Sequence, residues 1–288
     1  MKYSISFIIP VYNEKKGIKT VLTELIEYVK KKFSKENSEI IVIDDGSTDG
    51  TSKILENFSD KVKIIKNTRN RGYGYSIKKG LKLANFEYIG LIDADCTYPI
   101  EEFDKLLKKL PAEMVVGARI GDNVNIPIVR RPAKKILNML ANYLVDYKIP
   151  DLNSGMRIFK KDLALKFFSL YPDAFSFTTT ITLAFISNDY EVIFVPINYK
   201  ERVGKSKINP FTAMQHFLIT IIRTILYFNP LKVFLPLSLF FFFAAVIVLL
   251  ESWLIEGKIR DATIIILLMT SFQSAAMGFL ADLINKRH

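Results

Sequence analysis

Short apolar runs alternate with amphipathic segments through the N-terminal part of the chain. The first run, Ile5–Ile9, ends at Pro10, and the segment from Lys15 to Lys32 then repeats its apolar residues at helical spacing. The later runs, each predicted to be a strand, are Ile40–Ile43, Val62–Ile65, Tyr88–Ile92, Met114–Ala118 and, further along, Tyr190–Ile197. Segments of helical spacing lie between most of these strands, and Glu101–Leu110 is one of them. This alternation predicts an α/β fold with an open, mostly parallel sheet and helices on both faces.

The pattern changes after Asn209, where long apolar segments replace the short runs. A helix beginning near Phe211 has one continuous apolar face, which suits a membrane interface, although a helix packed on the domain has the same pattern. Val233–Leu250 and Ala262–Ala281 carry no charge, and each is about long enough to cross ~30 Å of hydrocarbon. Two buried core helices are the alternative. We expect a domain at 1–208, an amphipathic juxtamembrane helix at 209–230 and a two-helix transmembrane hairpin at 231–288.

Basic residues flank the two predicted membrane helices on the outer side of the hairpin. Lys232 precedes the first helix, and Lys286 and Arg287 follow the second, whereas the connection has only Lys258 and Arg260, offset by acidic residues. Cytoplasmic flanks carry an excess of Lys and Arg, so this distribution favours a multi-pass membrane protein whose N-terminal domain faces the cytoplasm.

Composition narrows the classes of function. The chain of 288 residues is 50% apolar and has a formal charge of +11, which suits phosphate-bearing substrates and an anionic membrane face. The sequence has no basic run interleaved with aromatic residues and no zinc-finger spacing, so we expect no nucleic-acid partner. Cys96 is the single cysteine, which excludes an internal disulfide, and only His216 and His288 could supply imidazole, which argues against a histidine-based metal site.

Candidate chemical groups follow the first, second and fourth predicted strands. They are Tyr12 and Glu14, then Asp44 and Asp45, then Asp93 and Asp95. Ligands of open α/β sheets bind outside the carboxyl ends of the strands, so we expect these groups at one edge of the sheet. Neither G-x-G-x-x-G after the first strand nor G-x-x-x-x-G-K-[ST] is present, which argues against dinucleotide-binding and P-loop proteins.

Asp93-Ala94-Asp95 is the strongest candidate for a metal site. Side chains at i and i+2 of a strand point to the same side, so the two carboxylates are expected to aim into one place. Carboxylates that close raise each other's pKa unless a cation lies between them. Such oxygen ligands suit Mg²⁺ or Mn²⁺ shared with substrate phosphates. A turn with a solvated pair of aspartates is the alternative interpretation.

The order of the motifs resembles that of the family 2 inverting glycosyltransferases of GT-A fold. The matching segments are Ile9-Pro10-Val11-Tyr12-Asn13-Glu14, then residues 42–51, then Asp93-Ala94-Asp95. Two further motifs and the predicted hairpin narrow the resemblance to the polyprenyl-phosphate glycosyltransferases, the dolichol-phosphate mannosyltransferase-like branch. Those motifs are Asp151-x-x-Ser154-Gly155-Met156-Arg157 and Arg202-x-Gly204-x-Ser206-Lys207.

The resemblance implies a membrane-bound, metal-dependent enzyme that transfers one sugar from a nucleoside-diphosphate sugar to polyprenyl (dolichyl-type) phosphate. GDP-mannose, UDP-glucose and a UDP-N-acetylhexosamine are the donors to consider, with Mg²⁺ or Mn²⁺ as cofactor. Membrane lipid is a further partner, and the transmembrane helices could pair copies of the chain in a homo-oligomer. The acceptor phosphate, with a second pKa of about 6, is largely ionised at neutral pH, so a strong general base is not required.

The resemblance also implies roles for individual residues. The nucleotide sugar would contact Pro10, Tyr12, Glu14, Asp45, Asp93, Ala94, Asp95, Arg119 and Arg202. The metal would be held by Asp93 and Asp95, and the lipid phosphate by Arg119, Arg131, Ser206 and Lys207. The catalytic set would be Asp93, Asp95, Asp151 and Arg202. Asp151 lies where family members place a candidate base or acceptor-site carboxylate. We expect it to position groups rather than to take protons, and an Arg-pairing or helix-capping aspartate is the alternative.

Two other functions fit parts of the sequence. A processive polysaccharide synthase would carry Q-x-x-R-W, and the only tryptophan is Trp253, in the predicted hairpin. A non-catalytic scaffold would bind the nucleotide sugar without turnover, which the intact D-x-D argues against. Thr97 stands where mannosyltransferase members often have a glutamine ligand, which weakens the mannosyl interpretation. Asp49 is interpreted as a turn or helix cap.

Overall fold

The computed structural model describes residues 3–120, 139, 141–143, 145–174, 176–200, 210–256 and 261–285. The chain divides into two compact units, Met1–Ile221 and Ile222–His288. The first contains the strands β1 (Ile5–Val11), β2 (Ser38–Asp44), β3 (Lys63–Lys66), β4 (Tyr88–Leu91), β5 (Met114–Ala118), β6 (Arg157–Lys160) and β7 (Val192–Pro196).

The strands form one seven-stranded sheet in the order β3-β2-β1-β4-β6-β5-β7. All neighbours are parallel except β6, which runs antiparallel to both β4 and β5. The helices of this unit are α1 (Ile18–Lys32), α2 (Thr51–Glu56), α3 (Tyr73–Leu83), α4 (Phe103–Leu107), α5 (Lys161–Lys166) and α6 (Phe177–Ser187). The predicted α/β architecture with a mostly parallel sheet is therefore confirmed.

The central strands are apolar because the sheet is covered on both sides. Every residue of β1 and β5 is buried, as is each residue of β2 from Ile40 onward. The apolar face of α1 packs into the same core through Ile18, Leu22 and Leu25, none of which is exposed. Strands buried on both faces are expected to be continuously hydrophobic rather than alternating.

Pro10 lies inside β1, so the prediction that the strand ends there is wrong. The Ile8 carbonyl accepts a hydrogen bond from Ile92 at 3.3 Å, and the Val11 carbonyl accepts one from Asp45 at 2.8 Å. Alternate residues of β1 therefore face β4 and β2, and Pro10 faces β4. Because the register of β4 with β1 ends at Leu91 opposite Ile8, the missing N–H of the proline costs no ladder bond.

Three other elements differ from what the sequence predicted. The helix predicted over Glu101–Leu110 is shorter, with a 3₁₀ turn at Ile100–Glu102 before α4. After Leu107 the chain continues in tighter turns, in which the Lys109 and Leu110 N–H groups donate to the carbonyls three residues before them. Strand β6 was not anticipated from the sequence, because it is only four residues long and begins and ends with a basic residue. The predicted strand over Tyr190–Ile197 is present as the shorter β7.

Helix α7 (Pro210–Phe228) begins in the first unit and ends in the second. The second unit is a hairpin of α8 (Leu231–Glu251) and α9 (Asp261–Asn285), and a π-helical turn extends α8 through Ser252–Glu256. By length and composition, both helices are able to cross a membrane. Within 121–145 the structure describes only residues 139, 141–143 and 145, which are helical.

Small and hydroxyl-bearing residues join α8 to α9. The Ser238 hydroxyl donates to the Ser271 carbonyl at 2.9 Å, and the Ser271 hydroxyl donates to the Ser238 carbonyl at 2.9 Å. A Cβ at Gly278 would lie 2.7 Å from the Cβ of Phe234, so glycine permits the close approach. Large apolar side chains, including Phe240 and Ile247, stay exposed on the outside of the hairpin. Small residues at the helix contact and apolar residues outside it are typical of membrane helices.

Asp49 lies just before Gly50, the N-cap residue of α2, and its carboxylate binds the first backbone N–H of the helix, which fits the turn or cap interpreted from the sequence. Its Oδ1 accepts the backbone N–H of Thr51 at 3.0 Å, and its Oδ2 accepts that of Lys15 at 3.2 Å. Burial acts to raise the pKa of Asp49, but the hydrogen bonds from Thr51 and Lys15 lower it below its usual value. The stabilisation is therefore present above the usual aspartate pKa and is lost as the pH falls through the lowered value.

Asp49→Ala should lower the melting temperature of the full chain at neutral pH by about 2–4 °C, because losing a cap costs about 1 kcal/mol. Thermal unfolding in detergent is the measurement. The control is Asp60→Ala, which removes an exposed carboxylate 3.8 Å from Lys61, a surface pair worth little. Equal melting temperatures for the two variants would contradict the capping role.

Candidate active site

The carboxyl ends of β2, β1 and β4 are neighbours in the sheet, so the three acidic loops lie along one edge as predicted. Asn13 joins the first two loops. Its backbone N–H donates to the Ser47 hydroxyl at 2.9 Å, and its side-chain oxygen accepts the N–H of Thr48 at 2.7 Å. Asn13 has a φ of 54°, a left-handed conformation that asparagine adopts more readily than most residues. The neighbouring Tyr12 and Glu14 are half-buried at this edge.

Asp45 anchors the loop before α3. Its Oδ1 accepts from Asn67 Nδ2 at 2.7 Å and from the Arg71 N–H at 3.0 Å, and its Oδ2 accepts from the Gly72 N–H at 2.8 Å. The carboxylate is buried. A nucleobase N–H would have to share or replace one of these donors, so Asp45 shapes the edge through the loop that it holds. Its predicted place in the base pocket stays a prediction.

Asp93 is held between two segments that are distant in sequence. The Tyr73 hydroxyl donates to Asp93 Oδ1 at 2.8 Å. On the other side, a Cβ at Gly155 would lie 2.5 Å from the Cγ and 2.7 Å from the Oδ1 of Asp93. Burial, together with the charge of Asp93, raises the pKa of Tyr73 well above its usual value, so Tyr73 stays a hydrogen-bond donor at neutral pH.

Asp95 is held by its own turn. Its Oδ1 accepts the Thr97 hydroxyl at 2.6 Å and the Thr97 N–H at 3.2 Å, and Thr97 is fully buried. The Thr97 carbonyl also accepts the N–H of Lys200 at 2.8 Å, which ties this turn to the segment after β7. Thr97 stands where mannosyltransferase members often have a glutamine ligand, and in this structure it orients the neighbouring Asp95 carboxylate.

The donor set fits a divalent cation that arrives with a phosphate-bearing ligand. Within the residues that the structure describes, no group of three or more Asp, Glu, His or Cys side chains is placed to hold a metal alone. Mg²⁺ is usually bound by one or two carboxylates together with substrate phosphates rather than by an all-protein cage. Asp93 and Asp95, each with one oxygen oriented by a hydroxyl donor, match that pattern.

Asp151 and Arg119 form a bidentate ion pair. Asp151 Oδ2 accepts from Arg119 Nε at 2.7 Å, and Oδ1 accepts from Arg119 Nη2 at 2.9 Å. Asp151 is fully buried, and the guanidinium of Arg119 lies 5.2 Å from the centre of the Tyr199 ring. Burial disfavours the charged form of Arg119, but Tyr98 and Asp151 outweigh it and raise the pKa of Arg119 well above its usual value. Asp151 is thus paired with an arginine in the structure, and its role in catalysis stays a prediction.

Arg157 places a second guanidinium beneath this site, and no role was predicted for it. It is the largest fully buried side chain described, and it donates to the Ser154 carbonyl at 3.1 Å and the Thr182 hydroxyl at 2.9 Å. Burial lowers the pKa of Arg157 to about 10. By bonding Ser154, Arg157 supports the turn that brings Gly155 against Asp93.

Sequence reasoning also missed the contributions of Tyr73, Tyr98 and Gly155. The Tyr98 hydroxyl accepts the Gly155 N–H at 2.8 Å across 57 residues of sequence. Gly72, next to Tyr73, and the Ser154-Gly155-Met156-Arg157 motif are visible in the sequence, but no local pattern pairs them with Asp93.

Four predicted site residues, Arg131, Arg202, Ser206 and Lys207, lie outside the described residues. Pro10, in β1, and Ala94, just after β4, are both buried near the carboxyl ends of those strands.

Two protein-family models match the chain. The model described as glycosyl transferase family 2 matches residues 6–168, which is more than half of the 288 residues. The model described as GtrB C-terminal hairpin matches residues 229–286, which contain α8 and α9.

Several curated relatives match over most of their length. The chain is 28% identical over 242 residues to a dolichyl-phosphate beta-glucosyltransferase of Trichomonas vaginalis, covering 78% of this chain and 71% of that protein. It is 29% identical over 232 residues to the human dolichyl-phosphate beta-glucosyltransferase, covering 72% of this chain and 70% of that protein.

Solved structures share the fold. Glucosyl-3-phosphoglycerate synthase from Mycobacterium tuberculosis bound to UDP superposes with a TM-score of 0.60 at 16% identity, covering 78% of this chain and 80% of that one. Its complex with Mn²⁺, UDP and glucosyl-3-phosphoglycerate gives a TM-score of 0.59 at 18% identity, covering 77% and 80%. At these identities the likeness is one of architecture.

Proposed function

The chain belongs to glycosyl transferase family 2, and we propose that it transfers one glucose from UDP-glucose to a polyprenyl (dolichyl-type) phosphate at a membrane. The observation that carries the proposal is the combination of one acidic sheet edge with a hairpin of two helices apolar enough to span a membrane. Both named relatives are dolichyl-phosphate glucosyltransferases, and the match to the GtrB C-terminal hairpin over residues 229–286 supports the same class of membrane enzyme for this chain.

Glucose is the sugar that we propose among the donors considered. Both named relatives are beta-glucosyltransferases. Thr97 supports the same choice, because its hydroxyl is engaged by Asp95 where a mannosyltransferase often has a glutamine ligand. GDP-mannose and UDP-N-acetylglucosamine are the donors to compare with UDP-glucose.

The donor would lie along the edge formed by β2, β1 and β4. We propose that Pro10, Tyr12, Glu14 and Asp45 line the nucleotide end and that Asp93, Ala94 and Asp95 lie at the diphosphate. Asp93 and Asp95 would hold Mg²⁺ or Mn²⁺, which when bound neutralises charge on the departing diphosphate. The carboxylates of both residues are already oriented by hydroxyl donors, so little rearrangement would be needed.

The acceptor would need positioning rather than deprotonation, because its phosphate oxygen is already largely anionic at neutral pH. This oxygen would attack the anomeric carbon, and the carbon's bond to the diphosphate oxygen would break. Asp151 supports a positioning role, because both of its oxygens accept from the Arg119 guanidinium. Arg119 would then present its charge to a phosphate.

Phosphate contacts from Arg131, Arg202, Ser206 and Lys207 remain part of the proposal. The domain division is retained in the same way, with a catalytic domain at 1–208, an amphipathic helix at 209–230 and the hairpin at 231–288. Two membrane crossings with basic flanks support a multi-pass protein whose catalytic domain faces the cytoplasm. Homo-oligomer formation through the hairpin stays a prediction.

Direct transfer tests the proposal. The purified full chain, in detergent with Mn²⁺ or Mg²⁺ and polyprenyl phosphate, should form a lipid-linked glucose and release UDP from UDP-glucose. Parallel reactions with GDP-mannose and UDP-N-acetylglucosamine test donor choice. UDP bound without any product would favour the scaffold alternative, and a mannolipid as the main product would show that the donor assignment is wrong.

Asp95→Ala should lower metal-dependent transfer by at least about 100-fold, because the cation contributes several kcal/mol at the diphosphate. The rate is measured over a titration of Mn²⁺. Glu27→Ala, in α1 and away from the sheet edge, is the control and should behave as the wild type. Unchanged transfer in Asp95→Ala would exclude the metal role of Asp95.

A further inference from the structure

Tyr73 occupies a position that is fixed from two sides. Gly72, just before it, has a φ of 109° and donates its N–H to Asp45 Oδ2 at 2.8 Å. On the other side, Gly74 donates its N–H to the Ala174 carbonyl at 3.2 Å. The first residue of α3 is therefore clamped between the loop after β2 and the segment before α6.

The glycines on either side of Tyr73 are required by this packing. A Cβ at Gly74 would lie 2.8 Å from the Ala174 carbonyl oxygen and closer still to that of Pro172. A Cβ at Gly72 would collide with the Asp173 carbonyl oxygen. Because backbone cannot yield as a side-chain tip can, the start of α3 has little freedom, and the hydroxyl of Tyr73 has a set position.

That hydroxyl reaches Asp93. The Tyr73 oxygen lies 2.8 Å from Asp93 Oδ1, and the backbone at Gly155 comes so close to the carboxylate that a Cβ there would be 2.5 Å from its Cγ. With the Tyr73 hydroxyl bonded to one oxygen and the Gly155 backbone close by, the Asp93 carboxylate is restricted to one rotamer. Partners of this kind orient metal ligands, and losing one typically costs about 10–100-fold in metal affinity.

We propose that Tyr73 is the positioning residue for Asp93, holding its carboxylate in the orientation that binds the divalent cation together with the donor diphosphate. The inference rests on the proposed function for the identity of the ligand. It adds a coupling, because Asp45 holds the Arg71 and Gly72 N–H groups directly before Tyr73. The loop next to the proposed nucleotide end thereby determines where Asp93 points.

Tyr73→Phe removes the hydroxyl and keeps the ring. We expect the variant to bind Mn²⁺ in the presence of UDP about 10–100-fold more weakly than the wild type, with an unchanged melting temperature. Free Mn²⁺ is counted by electron paramagnetic resonance during a titration of the full chain with Mn²⁺ at fixed UDP, which requires neither acceptor nor turnover.

Tyr171→Phe is the matched control. Tyr171 is a buried tyrosine of the same unit whose hydroxyl has no hydrogen-bond partner within the described residues. Its loss should leave Mn²⁺ affinity as in the wild type. Mn²⁺ affinity in Tyr73→Phe within twofold of the wild type would overturn the proposal, as would an equal loss in Tyr171→Phe.

A double-mutant cycle tests whether Tyr73 acts through Asp93. In an Asp93→Ala background, Tyr73→Phe should have no further effect on Mn²⁺ affinity, since the carboxylate that it orients is gone. A full additive loss would show that Tyr73 acts elsewhere. If the wild type itself binds no Mn²⁺ with UDP, the proposed donor is wrong, whereas normal wild-type binding with a silent Tyr73→Phe contradicts only the positioning role.

Discussion

Gly155→Ala should reduce sugar transfer by about 100-fold or more, because a displacement of about 1 Å at a reacting group can cost that much. The added methyl would lie 2.5 Å from Asp93 Cγ, well inside van der Waals contact. Any movement of Asp93 away from the methyl breaks or distorts the hydrogen bond that Tyr73 donates to its Oδ1 at 2.8 Å. The carboxylate must leave its position, and we expect the loss in Mn²⁺ binding with UDP as well as in turnover.

Gly155→Ala should keep the local backbone conformation, because the N–H of residue 155 can still donate to the Tyr98 hydroxyl. Gly278→Ala is the control, since its Cβ would lie 2.7 Å from the Cβ of Phe234 in the hairpin. We expect the control to shift the melting temperature and to leave Mn²⁺ affinity unchanged. Wild-type transfer by Gly155→Ala would mean that Asp93 is not needed in its observed orientation.

Arg119→Met should destabilise the protein by about 3–5 kcal/mol, because it removes the guanidinium that neutralises the buried Asp151 carboxylate, although the N–H groups of residue 119 and Asn153 still donate to it. For a unit of this size the melting temperature should fall by roughly 6–20 °C. Asp151 has no exposed surface, so water cannot replace the guanidinium. Thermal unfolding of the full chain at neutral pH is the measurement.

The double variant Arg119→Met with Asp151→Asn separates stability from function. Removing the buried charge should recover much of the melting temperature, whereas transfer should stay low if Arg119 contacts a phosphate. Full activity in this double variant would exclude a phosphate role for Arg119. Asp151→Asn alone tests the general-base alternative: a fall in kcat of about 10²–10⁴-fold with unchanged melting temperature would identify Asp151 as a base.

The apolar runs were sufficient to predict β1 to β5 in order, with helices between them, and β5 coincides with its prediction at both ends. Periodicity reports on neighbours a few residues apart, which is why elements are readable from it. The clustering of acidic residues at one edge of the sheet could be predicted for a related reason. Parallel strands bring their carboxyl ends together, so acidic residues after β1, β2 and β4 had to lie near one another.

Local pattern was insufficient where the outcome depended on a neighbouring strand. Pro10 was expected to end β1, but the strand continues because the proline faces β4 where that strand's pairing has ended. Strand β6 was missed for the same reason. Its four residues become a strand only between β4 and β5, where the buried guanidinium of Arg157 finds carbonyl and hydroxyl acceptors.

The sequence by itself determined the α/β class, the acidic edge and two helices long and apolar enough to cross a membrane. Each depends on periodicity, on strand direction or on length. The tertiary structure alone decided how that edge is held. Tyr73 reaches Asp93 across 20 residues, and Arg119 reaches Asp151 across 32. Contacts of this kind join segments that are distant in sequence. Their positions therefore depend on the packing of the whole unit rather than on neighbouring residues.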